Sequence, residues 1–189
     1  ASLGGVGKNG KEPGRVNWIQ FYLYTCAALK RKSAGKKGVA GRMFQVKSMT
    51  LEDLPAILSI EEQCFPIPWS RSSFLYELLE NQRAYYLVAK SVNRVLGFIG
   101  MWIIFDEGHI TNLAVDPAYR RHGVGRALLS HLVMEGIKHG LHYLTLEVRS
   151  SNLAAQRLYG EFGFVKTGIR PNYYQDNQED AFIMWKGPM

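Results

Sequence analysis

Two glycines separated by one residue, with arginines on both sides, form the stretch of the sequence best suited to chemistry. The glycines are Gly123 and Gly125, and the basic residues around them are Arg120, Arg121 and Arg126. Without a Cβ, glycine lets the backbone approach a ligand closely. Apolar residues at helical spacing follow, which predicts a helix start, and the amides and dipole of a helix N-terminus bind phosphate oxygens. The stretch therefore predicts a loop that holds a pyrophosphate.

The spacing of these glycines differs from that of two common phosphate-binding loops. A P-loop ends in Gly-Lys followed by Ser or Thr, and the dinucleotide fingerprint requires a third glycine where this chain has Leu128. Taken alone, the stretch could also be an ordinary basic turn between a strand and a helix. The flanking sequence is needed to choose between these interpretations.

A glutamate and a tyrosine farther along the chain are candidates for acid–base chemistry. Polar and apolar residues alternate in Tyr143–Arg149, as in a half-buried strand, and place Glu147 on the polar face. The next helix, from about 152 to 162, turns Tyr159 inward, toward the sheet that carries Glu147. The two groups could border one cleft. Alternatively, Glu147 is a solvated residue or an ion-pair partner of Arg149, and Tyr159 is an ordinary core tyrosine.

Two further polar residues, Glu107 and His109, precede the basic loop. They lie near the start of the strand that ends at Val115. They are either polar residues at the edge of the sheet or an alternative base, since an imidazole titrates near neutral pH.

The order of the predicted elements is that of a mixed α/β domain, β-α-α-β-β-β-α-β-α-β-β. An antiparallel hairpin is predicted to turn at Asn93, and the helix after Gly125 is predicted to form a right-handed crossover. Helices are predicted to end near residues 64, 79, 139 and 162. Strands are predicted at 44–47, 84–90, 95–105, 109–115, 143–148, 164–170 and 181–186.

Charge is distributed unevenly along the 189 residues, whose net charge is +7. Residues 1–42 hold nine Lys or Arg and one acidic residue, whereas residues 43–189 hold fourteen basic and fifteen acidic residues. We therefore expect a basic, flexible N-terminal extension, residues 1–42, and one domain, residues 43–189. The nearly neutral domain argues against a nucleic-acid-binding function for the whole chain, although the extension could contact RNA or an anionic surface.

The cysteines indicate whether a metal site is expected, and with the hydropathy pattern they indicate where in the cell the protein is expected. Cys26 and Cys64 form no metal-ligand or disulfide pattern, so no metal site is expected and a reducing cytoplasm is the simplest location. No apolar run reaches the roughly 20 residues of a membrane helix. Residues 16–29 follow basic residues as a signal peptide would, but Asn17 and Gln20 interrupt them, which favours a leader or a docked helix.

These stretches together resemble the GNAT N-acetyltransferases over most of residues 43–189. Residues 120–125, Arg-Arg-His-Gly-Val-Gly, match the acyl-CoA-binding pattern Arg/Gln-x-x-Gly-x-Gly/Ala of that family. The two adjacent tyrosines followed by Glu-Asp-Ala narrow the resemblance to the RimI-like branch, which acetylates protein N-termini. The other matching blocks are Cys64–Pro66 with Pro68–Ser70, Asn112–Pro117, Arg121–Leu129, Leu146–Arg149 with Ser151, Asn152, Ala154 and Ala155, Leu158 and Tyr159 with Phe162–Phe164, and Arg170, Asn172–Tyr174 and Glu179–Ala181 with Met184.

The resemblance implies the GNAT fold and acetyl-CoA as cosubstrate. The backbone of Leu113 and Val115 would bind the pantetheine arm, residues 121–126 the pyrophosphate, and Asn152 the region beside the thioester. The implied cofactor-binding residues are Leu113, Ala114, Val115, Arg121, His122, Gly123, Val124, Gly125, Arg126 and Asn152.

By the same resemblance, Glu147 matches the general base and Tyr159 the general acid. A peptide α-amine has a pKa of about 7.7–8.0 and must lose a proton before it attacks a thioester, and the departing thiolate then needs a proton. Direct transfer requires neither a metal nor a covalent enzyme intermediate, so Cys64 is not predicted to be a nucleophile. The residues that would border the acceptor peptide and admit a small first residue are Pro68, Trp69, Tyr173 and Tyr174.

The implied acceptor is a protein N-terminus, above all that of the alanine-starting small-subunit ribosomal protein eighteen. Two departures from the family pattern bear on the acceptor: the basic extension, and Pro171 where the family often has a second basic residue. One alternative is a GNAT enzyme that acetylates other N-termini, lysines or small amines. Another is a CoA-binding module without activity, tethered to the ribosome or RNA by residues 1–42.

Overall fold

The computed structural model describes residues 44–92 and 94–189. The predicted extension, residues 1–42, and the predicted turn residue Asn93 lie outside the described residues. Within the described part, strands and helices follow one another in the predicted order. The strands are β1 (Gln45–Ser48), β2 (Ala84–Ser91), β3 (Arg94–Ile104), β4 (Glu107–Val115), β5 (Tyr143–Arg149), β6 (Val165–Tyr174) and β7 (Glu179–Lys186). The helices are α1 (Leu54–Cys64), α2 (Arg71–Leu79), α3 (Val124–Lys138) and α4 (Leu153–Glu161).

The strands form one sheet in the order β1-β2-β3-β4-β5-β7-β6. Each neighbouring pair is antiparallel except β4 and β5, which are parallel and joined through α3. The predicted mixed sheet with one helical crossover is therefore confirmed. The sixth strand is longer than predicted: it continues beyond Arg170 through an irregularity at Pro171 and Asn172, after which Tyr174 pairs with Glu179.

Helices cover both faces of the sheet, and each face has its own apolar core. On the face covered by α3 and α4, Leu128, Leu129 and Leu132 of α3 are fully buried. Each such side chain contributes about 1.5–3 kcal/mol relative to an exposed one. On the other face, Leu54, Ile57 and Ile60 of α1 are buried, and Phe74 of α2 packs edge-on against Phe98 at 5.7 Å between ring centroids. We call these the α3/α4 face and the α1/α2 face.

Local capping residues fix where the helices begin and end. The Ser70 hydroxyl accepts a hydrogen bond from the Ser73 amide at 3.1 Å, which caps the N-terminus of α2. The Asn152 side chain caps α4 in the same way, through the Ala155 amide at 3.1 Å. After α4, Gly163 takes a left-handed φ of 83° and stops the helix, near the end predicted at residue 162. Among the described helices, none combines the length and apolar character that a membrane span requires.

Two irregularities in β4 determine the geometry of the centre of the sheet. Gly100 pairs with Asn112 and Met101 with Ile110, so the residue between them on β4 forms a bulge. In addition, β4 pairs with β5 only as far as Ile110, opposite Leu146. Beyond that rung the two parallel strands diverge. A cleft between them therefore opens at the carboxyl ends of both strands.

Candidate active site

The diverging end of β4 turns backbone groups toward the cleft. The Asp116 amide donates to the Leu96 carbonyl of β3 at 2.9 Å, so strand alternation directs the backbone groups of Leu113 and Val115 away from β3. The Val115 carbonyl on that side accepts hydrogen bonds from Cys64 Sγ and Arg120 Nε, each at 3.4 Å. A ligand with amide groups could pair with this edge as an added strand.

The side chain of Arg120 lies at this strand end. Its guanidinium lies against the Val115 carbonyl and, at 3.4 Å, the Cys64 sulfur. The residue is exposed, and the expectation that its charge favours an anion near the glycine loop stays a prediction.

The glycine loop leads into the N-terminus of α3. Gly123 has a φ of 83°, a left-handed conformation that favours glycine, and a Cβ built there would meet no atom within 4 Å. The first helical bond runs from the Ala127 amide to the Gly123 carbonyl, so the amides of Val124, Gly125 and Arg126 point out of the helix. These amides and the space before Gly123 fit an anionic group.

The side chain of Arg126 is not directed at these amides. It forms an ion pair with Glu161 at the end of α4, and its guanidinium lies 5.9 Å from the Phe162 ring centroid. Both partners are substantially exposed, at 44% and 52%. Rotation of an exposed arginine costs little, so Arg126 remains within reach of a ligand at the start of α3.

Glu147 is the most tightly held carboxylate at the cleft. Its side chain is 7% exposed, with Oε2 at 2.9 Å from His109 Nε2 and Oε1 at 3.0 Å from Arg170 Nη2. The hydrogen bond and charge of His109, followed by the charge and hydrogen bond of Arg170, lower the pKa of Glu147 despite the opposing effect of burial. The ion-pair partner considered from the sequence, Arg149, is engaged elsewhere.

Tyr159 lies on the other side of β5. Its ring is buried among Leu146, Val148 and Phe164, which belong to the α3/α4 face, whereas Glu147 lies on the α1/α2 face with His109. Burial raises the pKa of Tyr159, so its hydroxyl keeps its proton at neutral pH. Glu147 of β5 and Tyr159 of α4 thus lie on opposite faces of the sheet and not side by side.

Tyr173 and Tyr174, at the end of β6, lie near the charged residues of β5. Arg149 lies 3.8 Å from the Tyr174 ring centroid and pairs with Asp176 at 2.8 Å. Burial raises the pKa of Tyr174 to about 12, with a smaller contribution from Glu147. The pKa of Tyr173 is raised by burial and by Glu147. Both predicted acceptor tyrosines therefore lie near the Glu147 side of the cleft.

Trp69, the residue after Pro68, borders a second part of the α1/α2 face. A cleft of about 540 Å³ is lined by Trp69, Ser72, Ser73, Tyr76, Glu77 and Trp102. Trp102 joins it to the site, because its ring lies 6.3 Å from the His109 ring and its Nε1 donates to Glu77 at 2.7 Å. This volume is in the range of ligand-binding clefts.

A buried glutamate, Glu61, positions the loop that carries Pro68 and Trp69. Its Oε1 accepts the Trp69 amide at 3.2 Å, and its Oε2 has no hydrogen-bond partner among the described residues. Burial raises the pKa of Glu61 to about 7. Sequence reasoning missed Glu61, although it follows Ile57 by four residues and so falls on the buried stripe of α1.

Comparison with known proteins agrees with this geometry. The model of the acetyltransferase (GNAT) family matches residues 54–164. The ribosomal protein bS18-alanine N-acetyltransferase of Escherichia coli K12 is 41% identical over 144 residues, covering 75% of this chain and 96% of that protein. The Salmonella typhimurium enzyme of the same name is 40% identical over 146 residues, with the same coverage.

The chain belongs to the GNAT acetyltransferase family. The crystal structure of the Escherichia coli ribosomal-protein-S18-alanine N-acetyltransferase matches with a TM-score of 0.71 and 39% identity, covering 77% of this chain and 94% of that chain. The predicted GNAT fold and acetyltransferase activity are thereby confirmed. Enzymes of the GNAT family use acetyl-CoA. The roles expected of individual residues in this GNAT enzyme remain predictions.

Proposed function

We propose that this GNAT enzyme transfers the acetyl group of acetyl-CoA to the N-terminal α-amine of ribosomal protein bS18. The observation that carries the proposal is the opening between β4 and β5, with Glu147 on one face and Tyr159 on the other. The proteins named above as bS18-alanine N-acetyltransferases match this chain over nearly their whole length.

The residues around the opening suit acetyl-CoA. The outward edge at Leu113 and Val115 offers amide partners to a pantetheine arm, and the uncapped amides after Gly123 offer donors to a pyrophosphate. Asn152 uses its side-chain oxygen to cap α4, which leaves its NH₂ group for a ligand carbonyl. We assign Arg121, His122 and Arg126 to the same phosphate region, as the glycine motif predicts.

The chemistry needs a proton to leave the amine and another to reach the sulfur. A thioester lying between the diverging strands can be approached from both faces of the sheet. The amine would attack from the α1/α2 face, where Glu147 lies, and its proton would leave on that side. The Tyr159 hydroxyl, on the α3/α4 face, would donate to the departing thiolate. The N–C bond forms as the C–S bond breaks.

The acceptor peptide would lie across the α1/α2 face. Pro68 and Trp69 border it on one side and Tyr173 and Tyr174 on the other, with the cleft at Trp102 leading away from Glu147. Tyr173, Arg170 and His109 lie around Glu147, and we expect this crowding to favour a small first side chain. This restriction supports alanine as the first residue.

The test is acetyl transfer to peptides that differ only in the first residue. We expect transfer from acetyl-CoA to the alanine-starting bS18 N-terminus, less to the serine variant and least to the leucine variant. A matched peptide with a blocked α-amine and an internal lysine serves as the control and should receive no acetyl group. Transfer to that lysine, or no preference among first residues, would contradict the proposal.

A further inference from the structure

The cleft beside Trp102, which the transfer chemistry does not use, combines a buried carboxylate with aromatic walls. Its charged lining residue is Glu77, which is 6% exposed, and its rings are those of Trp69, Tyr76 and Trp102. No lysine, arginine or histidine is among the described residues that line it. A carboxylate attracts cations through its charge, and aromatic faces attract them through the ring quadrupole. The lining of this Trp102 cleft therefore suits a positively charged group.

The carboxylate of Glu77 is held in place by hydrogen-bond donors and not by a cation. Its Oε2 accepts Trp102 Nε1 at 2.7 Å and Asn81 Nδ2 at 3.0 Å. Both donors are neutral, so they fix the carboxylate without neutralising its charge. Among the ion pairs of residues 44–92 and 94–189, none involves Glu77. A cationic ligand would be the first to compensate this charge.

A second buried acid, Glu61 of α1, lies close to the same region. Its Oε1 accepts the amide of Trp69, a wall of the cleft, and its Oε2 has no hydrogen-bond partner within the described part of the chain. Burial raises the pKa of Tyr86, and the charges of Glu77 and Glu61 add to that shift, so both carboxyl groups lie near one phenol. Two buried acids on one side of the α1/α2 face make this region favourable to positive charge.

The Trp102 cleft lies one aromatic ring away from the place proposed for the acceptor amine. The Trp102 ring centroid is 6.3 Å from that of His109, which in turn contacts Glu147 at 2.9 Å. The same indole donates to Glu77. An extended peptide advances about 3.3–3.6 Å per residue. A peptide whose amine lies at Glu147 can therefore bring its second or third side chain to the cleft.

We propose that the Trp102 cleft is a subsite for a lysine or arginine side chain at the second or third residue of the acceptor peptide. This inference rests on the function proposed above. The cationic head would pair with Glu77, and its stem would lie against the rings of Trp69 and Tyr76. Arginine suits the cleft best, because a guanidinium both pairs with carboxylates and stacks on aromatic faces. Since the subsite is remote from the reacting atoms, it acts on KM and not on kcat.

The experiment measures kcat and KM with alanine-starting peptides that carry one arginine in an otherwise uncharged sequence. The arginine is placed at residue two, three, four or five, and each peptide has a partner with citrulline, which is neutral and nearly the same shape. We expect arginine at residue two or three to lower KM about tenfold relative to citrulline, with kcat within twofold. At residues four and five the two KM values should agree within twofold.

Three variants assign this preference to the cleft. In Glu77→Gln, which keeps an oxygen for Trp102 Nε1, the ratio of the citrulline KM to the arginine KM should fall from about ten to near one. In Tyr76→Leu the ratio should fall two- to threefold, and this variant should fold because the tyrosine is 55% exposed. Glu80→Gln removes an equal charge at the exposed end of α2, outside the cleft, and should keep the ratio.

Several results would overturn the subsite. They are equal KM values for arginine and citrulline at residues two and three, a preference that appears only from residue four on, or a preference that survives in Glu77→Gln. Equal losses in Glu77→Gln and Glu80→Gln would also overturn it, because net charge would then be the cause. If Glu77→Gln does not fold, an unchanged ratio in Tyr76→Leu decides against the proposal. Absence of transfer to every α-amine by the unmodified enzyme would instead refute the proposed function.

Discussion

Each end of the β4–β5 pair carries a histidine next to a carboxylate, but the two pairs differ in exposure. At the end where the strands begin, His142 lies 3.4 Å from Asp106, and these side chains are 63% and 54% exposed. At the diverging end, His109 lies 2.9 Å from Glu147, and the exposed fractions are 33% and 7%. The first pair is worth about 0–1 kcal/mol as a surface contact. The second pair differs in two ways: Glu147 is buried, and a third group, Arg170, also contacts it.

The backbone differs between the two ends as much as the side chains do. At the closed end, the Asp106 carbonyl accepts the amides of His142 and Tyr143 at 2.7 and 3.2 Å, and the Met189 amide bonds to the His142 carbonyl. At the open end, no strand among the described residues lies beside the outward backbone groups of Leu113 and Val115. The closed end holds the two strands together, and a ligand could pair with the open end as an added strand.

The largest effect that would test this contrast is expected from removal of one hydroxyl at the open end. In Tyr159→Phe we expect kcat to fall by about 100-fold, because the thiolate loses its donor, while acetyl-CoA affinity stays within twofold. Tyr143→Phe makes the same change at the closed end and should leave both values unchanged. Steady-state kinetics and calorimetric binding of acetyl-CoA measure the two effects. Equal kinetics in the two variants would remove Tyr159 from the mechanism.

The second test adds one methyl group at each end. In Gly108→Ala the new Cβ would meet Leu144 and Leu141 at 2.5 and 2.9 Å, so we expect destabilisation by about 1–3 kcal/mol. In Gly125→Ala it would meet Val115 and Leu158 at 3.5 and 3.6 Å, an ordinary contact, so thermal stability should be kept or slightly raised.

The same pair of variants should separate folding from binding. Acetyl-CoA affinity is expected to stay within about twofold in Gly125→Ala, because the family pattern admits alanine there and the new Cβ makes only ordinary contacts, and to be nearly unchanged in folded Gly108→Ala. Thermal unfolding and calorimetric titration of both variants provide the measurements. A tenfold or greater loss of affinity in Gly125→Ala would show that the methyl group meets the ligand.

Most of the fold could be predicted because its signals are local. Alternation within strands and the spacing of apolar residues in helices indicated the element order and most boundaries. The end of β6 was predicted too early, because Pro171 breaks the local strand pattern and pairing resumes only through the partner strand. The bulge in β4 left no local signal, since it arises from the register with β3.

The candidate site was predictable by residue type but not by arrangement. The positions of Glu147 and Tyr159 along the chain indicated a shared cleft, but which face each side chain takes depends on how α4 packs. The partner of Glu147 is also non-local: strand alternation suggested Arg149, whereas Arg170 reaches it from β6. Arg149 instead pairs with Asp176 and Glu179, residues of the β6–β7 connection and the start of β7.

A smaller effect is expected on the pH dependence of stability. Since the pKa of Glu147 is lowered in the folded chain, the unfolded chain binds the proton first as pH falls, and folding loses stability. The unmodified chain should therefore be more stable than Glu147→Gln at pH 7, and the difference should shrink below the usual glutamate pKa of about 4.3. Asp106→Asn, at the closed end, should change stability by less than about 1 kcal/mol. Chemical denaturation between pH 3 and 7 measures these differences, and a constant gap for Glu147→Gln would contradict the assigned ion pairs.

The smallest effect concerns the ion pair that holds Arg126. If Arg126 serves the phosphates, Glu161 competes with them for the same guanidinium. Glu161→Gln should then tighten acetyl-CoA binding about two- to threefold at low salt, and the gain should disappear at high salt, where exposed charges are screened. Glu135→Gln removes an equal charge near the other end of α3, where Glu135 pairs with Lys138, and should have no effect on affinity. Calorimetric titration at two ionic strengths decides the matter: the same gain in both variants would reflect net charge alone, and weaker binding in Glu161→Gln would mean that the ion pair positions Arg126 for the ligand.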